Sequence, residues 1–247
     1  MRELINDGRP FLNTDVDAHG MSRHRLYAAY DDHRLRLLAH GVGVDARAPD
    51  TRDLRIQALH LVCPAYAVVC EESAAWVRGI DAFRPSERFE LVPHLVVPLD
   101  RHPVRRPEVT SRRALLPPAD VETIGGLSVT TSLRTVSDLM RRLPQVHGLA
   151  VADAFAHRGL VARPDLELFV GRIRGYRWIR RARQTAAMVE PATESPGESW
   201  TRVRLIEHGL PWPTVQHVVR DRCGREVYRL DLAYADACVA VEYDGAE

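Results

Sequence analysis

The sequence predicts a mixed α+β or α/β protein, and three observations lead to this prediction. Amphipathic runs that begin at capping residues alternate with short runs of alternating apolar and polar residues, the patterns of helices and half-buried strands. The chain has 247 residues, enough for two cores, and its 45% hydrophobic and 27% charged content is that of an ordinary globular protein. No apolar run approaches the roughly 18 residues of a membrane-spanning helix, so we expect no membrane partner.

The cysteines and the N-terminal sequence indicate the compartment. Cys63, Cys70, Cys223 and Cys238 form no C-x-x-C pair, so neither a zinc site nor a disulfide framework is predicted. No signal peptide precedes the first periodic segment. We therefore expect a cytoplasmic protein with reduced thiols. The formal net charge of +1 favours neither presence nor absence of a nucleic-acid partner, so the distribution of charge matters more than its sum.

The first 47 residues predict three short helices followed by a β-hairpin. The first helix would span residues 2–7, the second would start near Asn13 and end at Gly20, and the third would begin after Ser22. The hairpin would span residues 35–44. This order suits a winged helix-turn-helix, whose third helix enters the major groove of DNA, although small helices with a hairpin also occur in proteins without a DNA role. The residues predicted to contact DNA here are Arg23, Arg25 and Arg34.

Residues 48–190 predict a mixed α/β middle region. Arg134 and Asp138 lie four residues apart on one predicted helix, and we expect them to form an ion pair on its surface. Helices are predicted at 54–61, 73–78, 132–142 and 146–158, and strands at 66–70, 89–97, 109–115 and 121–129.

The middle region is predicted to end in an arginine-rich helix over residues 171–190, with Trp178 and Ile179 on its inner side. Six arginines fall within residues 172–183 with no acid among them, which suits contact with phosphates but is also typical of a solvated helix face. Residues 190–197 then predict a linker, because two prolines and a glycine interrupt the helical pattern. The predicted DNA-contacting residues are Arg174, Arg177, Arg180 and Arg181.

Two carboxylates oppose each other on the predicted C-terminal hairpin. With a loop centred on Asp236 and Ala237, an antiparallel register places Asp231 opposite Glu242. Directly opposed side chains lie roughly 5 Å apart at Cβ, where like charges are destabilising. A divalent cation, Mg²⁺ or Mn²⁺, would relieve this repulsion and takes carboxylate ligands. The alternative is an acidic pair on the solvated face of a hairpin.

The helix before this hairpin brings further acids. Glu194 and Glu198 lie four residues apart and so share one helix face. Ser195 and Glu198 also form a capping box, in which Glu198 would accept a hydrogen bond from the Ser195 N–H. Glu198 is therefore predicted either as a cap alone or as a third acid beside the opposed pair.

These motifs resemble the PD-(D/E)XK nuclease superfamily, and in particular its very-short-patch-repair-like domains. The matching segments are Glu194 to Glu198, Gly209-Leu210-Pro211-Trp212-Pro213, Arg229 with Asp231, and Val239 to Gly245. The resemblance implies a restriction-endonuclease-like α/β/α core over residues 191–247 and Mg²⁺- or Mn²⁺-dependent hydrolysis of DNA. It implies that Asp231 and Glu242 hold the metal, and the implied catalytic set is Glu198, Asp231, Glu242 and Asp244.

This sequence departs from the nuclease pattern in two ways. The lysine position of the superfamily is Asp244 here, and every one of the 34 basic Lys or Arg residues is arginine, which does not deprotonate or orient water as lysine does. The chain also ends at Glu247, before the segment that would complete such a core, so we expect a truncated or incomplete domain.

A second resemblance covers most of the chain and is to AbiEi-like antitoxins of type IV toxin–antitoxin systems. It rests on the winged-helix order of the first 47 residues, on Arg134-Thr135 with Asp138-Leu139, and on Asp153-Ala154 with Arg158-Gly159-Leu160. It implies a non-enzymatic DNA-binding regulator with a cognate toxin as partner. Three functions therefore stay open: a DNA nuclease, a DNA-binding antitoxin with a degenerate nuclease scaffold, and a protein-interaction module. The oligomeric state stays open as well.

Overall fold

Eight α-helices and three β-sheets form the regular structure of residues 8–82 and 91–245, the part of the chain that the computed structural model describes. The predicted mixed α/β class is confirmed. The predicted helix over residues 2–7 lies outside the described residues. The chain divides into two units, Met1–Thr131 and Ser132–Glu247. This boundary does not coincide with those predicted at 47/48 and 190/191.

The N-terminal part of the first unit contains a three-stranded antiparallel sheet in the order β1-β3-β2. As predicted, Gly20 ends a short helix with a left-handed φ of 71°, and Ser22 caps the next helix by accepting the Arg25 N–H at 3.4 Å. The elements are β1 Phe11–Leu12, a 3-10 helix Val16–His19, α1 Arg23–Asp31, β2 Leu35–Ala39 and β3 Val42–Asp45. The predicted hairpin over residues 35–44 is thus present.

Gly43 in β3 is a point of very close packing. A Cβ atom added there would lie 2.3 Å from the Tyr30 hydroxyl and 2.7 Å from Phe11 Cζ. Tyr30 donates a hydrogen bond to Asn13 Oδ1 at 2.8 Å, and burial raises the pKa of Tyr30 to about 12, so the phenol stays a donor. The sheet, the end of α1 and the turn before the 3-10 helix therefore meet at this glycine.

We expect Gly43→Ala to lower the free energy of unfolding by about 1–3 kcal/mol, because the added methyl group forces Tyr30 and Phe11 to shift. Urea unfolding measures the change. Gly171→Ala is the matched control, since no atom lies within 4 Å of the added Cβ and alanine favours a helix over glycine. Equal stabilities of the Gly43→Ala variant and the parent would contradict the prediction.

The rest of the first unit is a mixed five-stranded sheet in the order β6-β5-β4-β8-β7, with β4–β8 and β5–β6 parallel. Its core includes Leu59, Val69, Leu95 and Val129, each at most 1% exposed. Gly125 and Gly126 form the turn that joins β7 to β8, so the strand predicted over residues 121–129 is a hairpin of two strands. The elements are α2 Arg52–Val62, β4 Val68–Val69, α3 Glu71–Trp76, β5 His94–Val97, β6 Thr110–Arg113, β7 Val121–Ile124 and β8 Leu127–Thr130.

The second unit consists of helices followed by a three-stranded antiparallel sheet in the order β11-β10-β9. Leu139, Leu149, Phe155 and Leu166 are fully buried in its core. The elements are α4 Ser132–Arg142, α5 Gln145–His157, α6 Arg163–Arg172, α7 Ile179–Ala186, α8 Pro196–Glu207, β9 Thr214–Arg220, β10 Glu226–Tyr234 and β11 Val239–Val241.

The prediction of one arginine-rich helix over residues 171–190 is wrong. Helix α6 ends at Arg172 and α7 begins at Ile179, and residues 173–178 between them form an irregular turn. Gly175 has φ of 73° and Trp178 has φ of 64°, and both values are incompatible with a right-handed helix. Trp178 was predicted on the inner side, but its side chain is 53% exposed. We call residues 173–178 the arginine–tryptophan turn.

The prediction of a surface ion pair between Arg134 and Asp138 is also wrong in its location. Both residues are buried, at 4% and 2% exposure, and the Arg134 Nε–Asp138 Oδ2 distance is 2.8 Å. Arg141, one turn further along α4, donates to the other carboxylate oxygen of Asp138. The pair is therefore part of a buried three-residue ion cluster.

The residues predicted as a linker, 190–197, are hydrogen-bonded and partly buried within the second unit. The Glu190 N–H donates to Asp153 Oδ1 at 2.8 Å, and Thr193 is 3% exposed. Prolines and glycine interrupt the helical pattern here, as the sequence indicates, but the segment is held by α5 rather than separating two domains.

Candidate functional site

The exposed face of α1 is the first candidate surface. Leu26 and Ala29 on its opposite side are buried in the N-terminal core, which fixes the face that points outward. Arg34, also predicted to contact DNA, forms an exposed ion pair with Asp32 at 3.0 Å, so its charge is partly neutralised. The exposed residues of α1 include Arg23, His24, Arg25 and Tyr27.

The arginine–tryptophan turn is the second candidate surface. The guanidinium carbons of Arg177 and Arg181 lie 4.9 Å and 5.2 Å from the centroid of the Trp178 ring, within the range of cation–π attraction. Tyr176 is 40% exposed, and its ring centroid lies 4.8 Å from Arg141 Cζ. Two exposed aromatic rings and several guanidinium groups thus occupy one short stretch of surface.

Two of the four arginines predicted to contact DNA in this region also form hydrogen bonds to the protein backbone. Arg181 donates to the Arg141 carbonyl, and Arg174 donates to the Gly171 carbonyl, so both help to hold the local backbone. Arg177 and Arg180 are exposed. The structure therefore divides the predicted set into two arginines with backbone contacts and two exposed arginines, of which Arg177 lies over the Trp178 ring.

The predicted register of the C-terminal hairpin is confirmed. Leu232 pairs with Val241 and Tyr234 with Val239, so Asp231 and Glu242 are opposed one position further along. Asp231 is half-buried and its Oδ2 accepts the Tyr243 N–H at 2.9 Å. Glu242 is exposed at the end of β11. The two acids therefore share one face of the sheet, Asp231 within β10 and Glu242 directly after β11.

Glu198 acts as a cap, but its partner differs from the prediction. Its N–H donates to Ser195 Oγ at 3.2 Å, while its carboxylate accepts the Glu194 N–H at 3.1 Å instead of the Ser195 N–H. The same Glu198 oxygen accepts a hydrogen bond from the Gln216 side-chain amide, also at 3.1 Å. Glu194 is directed elsewhere, since its carboxylate lies 3.6 Å from the Arg229 guanidinium.

Gln216 is a residue that the sequence reasoning missed. The β9–β10 register, in which His217 pairs with Leu230 and Val215 with Leu232, places Gln216 opposite Asp231. Gln216 also has a left-handed φ of 52° in the middle of a strand, which is uncommon for a residue other than glycine. Its side-chain amide links the α8 cap to β9, the strand next to the one that carries Asp231. We call Glu198, Gln216, Asp231 and Glu242 the acidic row.

The start of α8 approaches the end of the hairpin closely. A Cβ atom on Gly197 would lie 2.0 Å from Tyr243 Cε1, so the Tyr243 ring packs directly over this glycine. This contact keeps the segment after β11, which carries the exposed Asp244, next to the N-terminus of α8.

The donor geometry of the acidic row differs from that of a closed metal site. Among the described residues, the group of three possible ligands whose donor atoms all lie within 4.8 Å of one another is Glu71, Glu72 and His94, in the first unit. There Glu72 Oε2 lies 2.9 Å from His94 Nδ1, and Arg112 pairs with Glu71 at 2.9 Å. The binding of Mg²⁺ or Mn²⁺ by Asp231 and Glu242 stays a prediction.

A second buried ion cluster holds α5, α8 and the segment between them. Arg202 and Ser199 donate to Asp153 Oδ2 at 2.6 Å and 2.7 Å, and Arg202 also donates to the Met188 carbonyl. Burial raises the pKa of Asp153 to about 6, and the nearby Arg202 charge acts in the opposite direction. This cluster anchors α8, the helix that carries Glu198, to α5.

Comparison with known proteins shows what the chain is related to. Residues 67–186 match the protein family described as the AbiEi antitoxin C-terminal domain. Two uncharacterized proteins of Mycobacterium tuberculosis, MT2308 and Rv2248, are each 31% identical over 202 residues, which span 82% of this chain and 71% of each relative. The chain belongs to the same family as these two mycobacterial proteins.

The segment that matches the AbiEi antitoxin C-terminal domain begins just before β4 and ends with α7. It therefore includes the buried Arg134–Asp138–Arg141 cluster and the arginine–tryptophan turn. Helix α1 precedes the matched segment, and the acidic row follows it. Among the described residues, no helix is both long and apolar enough to cross a membrane.

Proposed function

We propose that this protein is a DNA-binding regulator of the antitoxin type, with a cognate toxin as its protein partner. The observation that carries the proposal is the match of residues 67–186 to the AbiEi antitoxin C-terminal domain. The elements before this segment support the proposal. They are a short helix that ends at Gly20, then a helix with an exposed basic face, then a β-hairpin, which is the order of a winged helix-turn-helix.

In this proposal Arg23 and Arg25 on the exposed face of α1, together with the exposed Arg34, contact phosphates or base edges of duplex DNA. The DNA upstream of its own gene, which includes the promoter, is the first probe. Gel retardation at several salt concentrations tests the proposal, because phosphate contacts make affinity fall as salt rises. Absence of salt-sensitive binding to this DNA or to any other duplex would refute it.

We expect the double variant Arg23→Ala/Arg25→Ala to bind duplex DNA at least roughly 10-fold more weakly and to reduce the salt slope by about 2, since each lost phosphate contact lowers the slope by about 0.9. Fluorescence anisotropy with a labelled promoter fragment measures both quantities. Arg163→Ala is the control, because Arg163 is an exposed arginine that pairs with Glu167 at 2.8 Å on α6. If both variants bind as the parent does, α1 is not the DNA-contacting helix.

A second candidate function is metal-dependent hydrolysis of DNA at the acidic row, and one observation favours it. The confirmed hairpin register opposes Asp231 and Glu242, and Gln216 joins Glu198 to the same face of the sheet. In this candidate Asp231 and Glu242 would hold Mg²⁺ or Mn²⁺, which supplies a nucleophilic hydroxide and neutralises phosphate charge. Glu198 and Asp244 would act beside the metal, and the absence of lysine from the chain is the main argument against turnover.

Incubation of supercoiled plasmid with Mg²⁺, Mn²⁺ or EDTA separates the two candidates. Nicking that needs metal and is lost in both Asp231→Asn and Glu242→Gln would establish the nuclease. Glu226→Gln is the matched control, because Glu226 lies at the far end of β10. Intact plasmid under all conditions, together with retained DNA binding, leaves the regulator as the function.

A further inference from the structure

We propose that the arginine–tryptophan turn binds single-stranded nucleic acid by stacking an unpaired base on Trp178. The inference rests on the proposed DNA-binding function and adds to it a second, separate contact within the second unit, together with the form of nucleic acid that this contact takes.

The backbone at Trp178 holds the indole ring outward. Its φ of 64° lies in the left-handed region, where a bulky side chain is an outlier. Such a conformation costs free energy and persists where the surrounding structure enforces it, which is typical of binding sites. The result here is an indole ring that is 53% exposed at the N-terminal end of α7. A large apolar ring is thus displayed to solvent by a strained backbone instead of being packed in the core.

Hydrogen bonds from arginines to backbone carbonyls fix the turn in this shape. Arg183 donates to the Ile173 carbonyl at 2.7 Å, and Arg141 donates to the Arg177 carbonyl at 3.2 Å. Arg141 itself is held by Asp138 in the buried cluster of α4. A turn that is already ordered loses little conformational entropy when it binds, so contact energy at its surface is converted into affinity.

The surroundings of Trp178 are cationic. Arg177 and Arg181 place guanidinium groups over the ring, within 5.2 Å of its centroid, so a base that stacks on the indole displaces one of them towards the adjacent phosphate. Arg180 is exposed two residues away. Residues 172–183 contain six arginines and no acid. A stacking ring flanked by cations is the arrangement that binds single strands without sequence preference: the ring takes a base, and the cations take the phosphates on either side.

The same features argue against a duplex or a protein as the ligand. In a duplex, each base is covered on both faces by its neighbours, so an indole ring finds no face on which to stack. Arginine and tryptophan are also common at protein interfaces, but six arginines without an acid favour a polyanion over a protein surface of mixed charge. An unpaired base between phosphates satisfies both the ring and the cations.

Fluorescence anisotropy of a labelled oligothymidylate of about 12 nucleotides, a length within the usual site size, tests the inference on the full chain. We expect Trp178→Ala to weaken binding by roughly 5- to 150-fold, the loss typical of one stacking aromatic, and Trp178→Phe to retain most of the affinity. Arg180→Ala should lower the salt slope by about 0.7. Trp212→Ala is the matched control, since Trp212 is 56% exposed in the same unit but lies outside the turn.

The outcomes separate this inference from the proposed function. Equal affinity of the parent and Trp178→Ala for oligothymidylate overturns it, as does a parent that binds duplex DNA but no single strand, in which case the regulator proposal stands. Loss of duplex binding in Arg23→Ala/Arg25→Ala with unchanged oligothymidylate binding supports two separate contacts. If Trp178→Ala impairs only association with a protein partner, the turn is a protein-binding surface and the inference is wrong. Thermal unfolding midpoints equal to the parent's show that each variant is folded.

Discussion

Replacement of Asp138 by alanine is expected to destabilise the second unit by about 3–5 kcal/mol, the usual cost of removing one partner from a buried ion pair. Asp138 is 2% exposed and is the shared counter-charge of Arg134 and Arg141, which are 4% and 8% exposed. Without it, two guanidinium groups stay buried in a low-dielectric interior beside each other. Repulsion between them adds to the desolvation that the carboxylate no longer offsets.

The effect of Asp138→Ala should extend to the arginine–tryptophan turn. Arg141 donates to the Arg177 carbonyl, and its guanidinium lies 4.8 Å from the Tyr176 ring centroid. When Asp138 is absent, Arg141 is free to turn away from this position, and the turn loses part of its support. We therefore expect weaker binding of oligothymidylate in addition to lower stability.

Thermal unfolding followed by circular dichroism should show a decrease of roughly 6–20 °C in the midpoint, the shift that corresponds to this loss for a protein of this size. Asp138→Asn is the control: its side chain keeps the shape and one acceptor oxygen, so its loss should be smaller than that of the alanine variant. A midpoint for Asp138→Ala within 2 °C of the parent's would show that the cluster contributes nothing to stability.

The location of this cluster could not be predicted from sequence spacing. The four-residue separation of Arg134 and Asp138 predicts that they share a helix face, and they do. Spacing does not predict which face of the helix is buried, because that depends on how the helices that follow in the sequence pack against it. The nearby apolar residues Val136 and Leu139 are also buried, so nearly the whole circumference of α4 is covered. A helix buried all round turns a surface pair into a core cluster.

The hairpin register, by contrast, was predictable. Alternation fixed which residues share a face, and a short loop at Asp236 and Ala237 left one register, which the pairing of Leu232 with Val241 confirms. The position of Gln216 could not be predicted in the same way. A register shift between Glu226 and Tyr228 moves the β9–β10 pairing by one residue relative to the turn at Gly224, and only this shift brings Gln216 opposite Asp231. Its left-handed backbone could not have been found, since strand patterns do not encode such outliers.

The arginine–tryptophan turn shows why composition alone misled the prediction. Arginine favours helices, so a run of arginines predicts helix, and the single Gly175 within it was passed over. An isolated glycine lowers the helical tendency and marks a break where the tertiary structure supplies carbonyl partners, as Arg141 and Arg183 do here. Trp178 is exposed because it lies in that break, and not because tryptophan favours exposed positions.

Asp153→Ala is the second substitution with a large expected effect, again a loss of about 3–5 kcal/mol. Asp153 on α5 accepts hydrogen bonds from Arg202, Ser199 and the Glu190 N–H, and it is 1% exposed. Its removal leaves three donors without this acceptor, one of them the charged Arg202, itself 2% exposed. It also releases the 188–190 segment from α5 and loosens the position of α8, which carries Glu198.

Urea unfolding at pH 7.5 measures this loss under conditions where the carboxyl, with its pKa raised by burial to about 6, is ionised. Ser199→Ala is the graded control, because it removes one neutral donor and should cost only about 1 kcal/mol. The double substitution Asp153→Leu/Arg202→Met removes both charges and should recover much of the stability, as well-packed apolar replacements of buried pairs often do.

If Asp153→Ala costs no more than Ser199→Ala, Arg202 finds another partner or water, and the cluster does not fix α8. If the double variant is as unstable as Asp153→Ala, the loss comes from the hydrogen bonds to Glu190 and Ser199 rather than from the stranded charge.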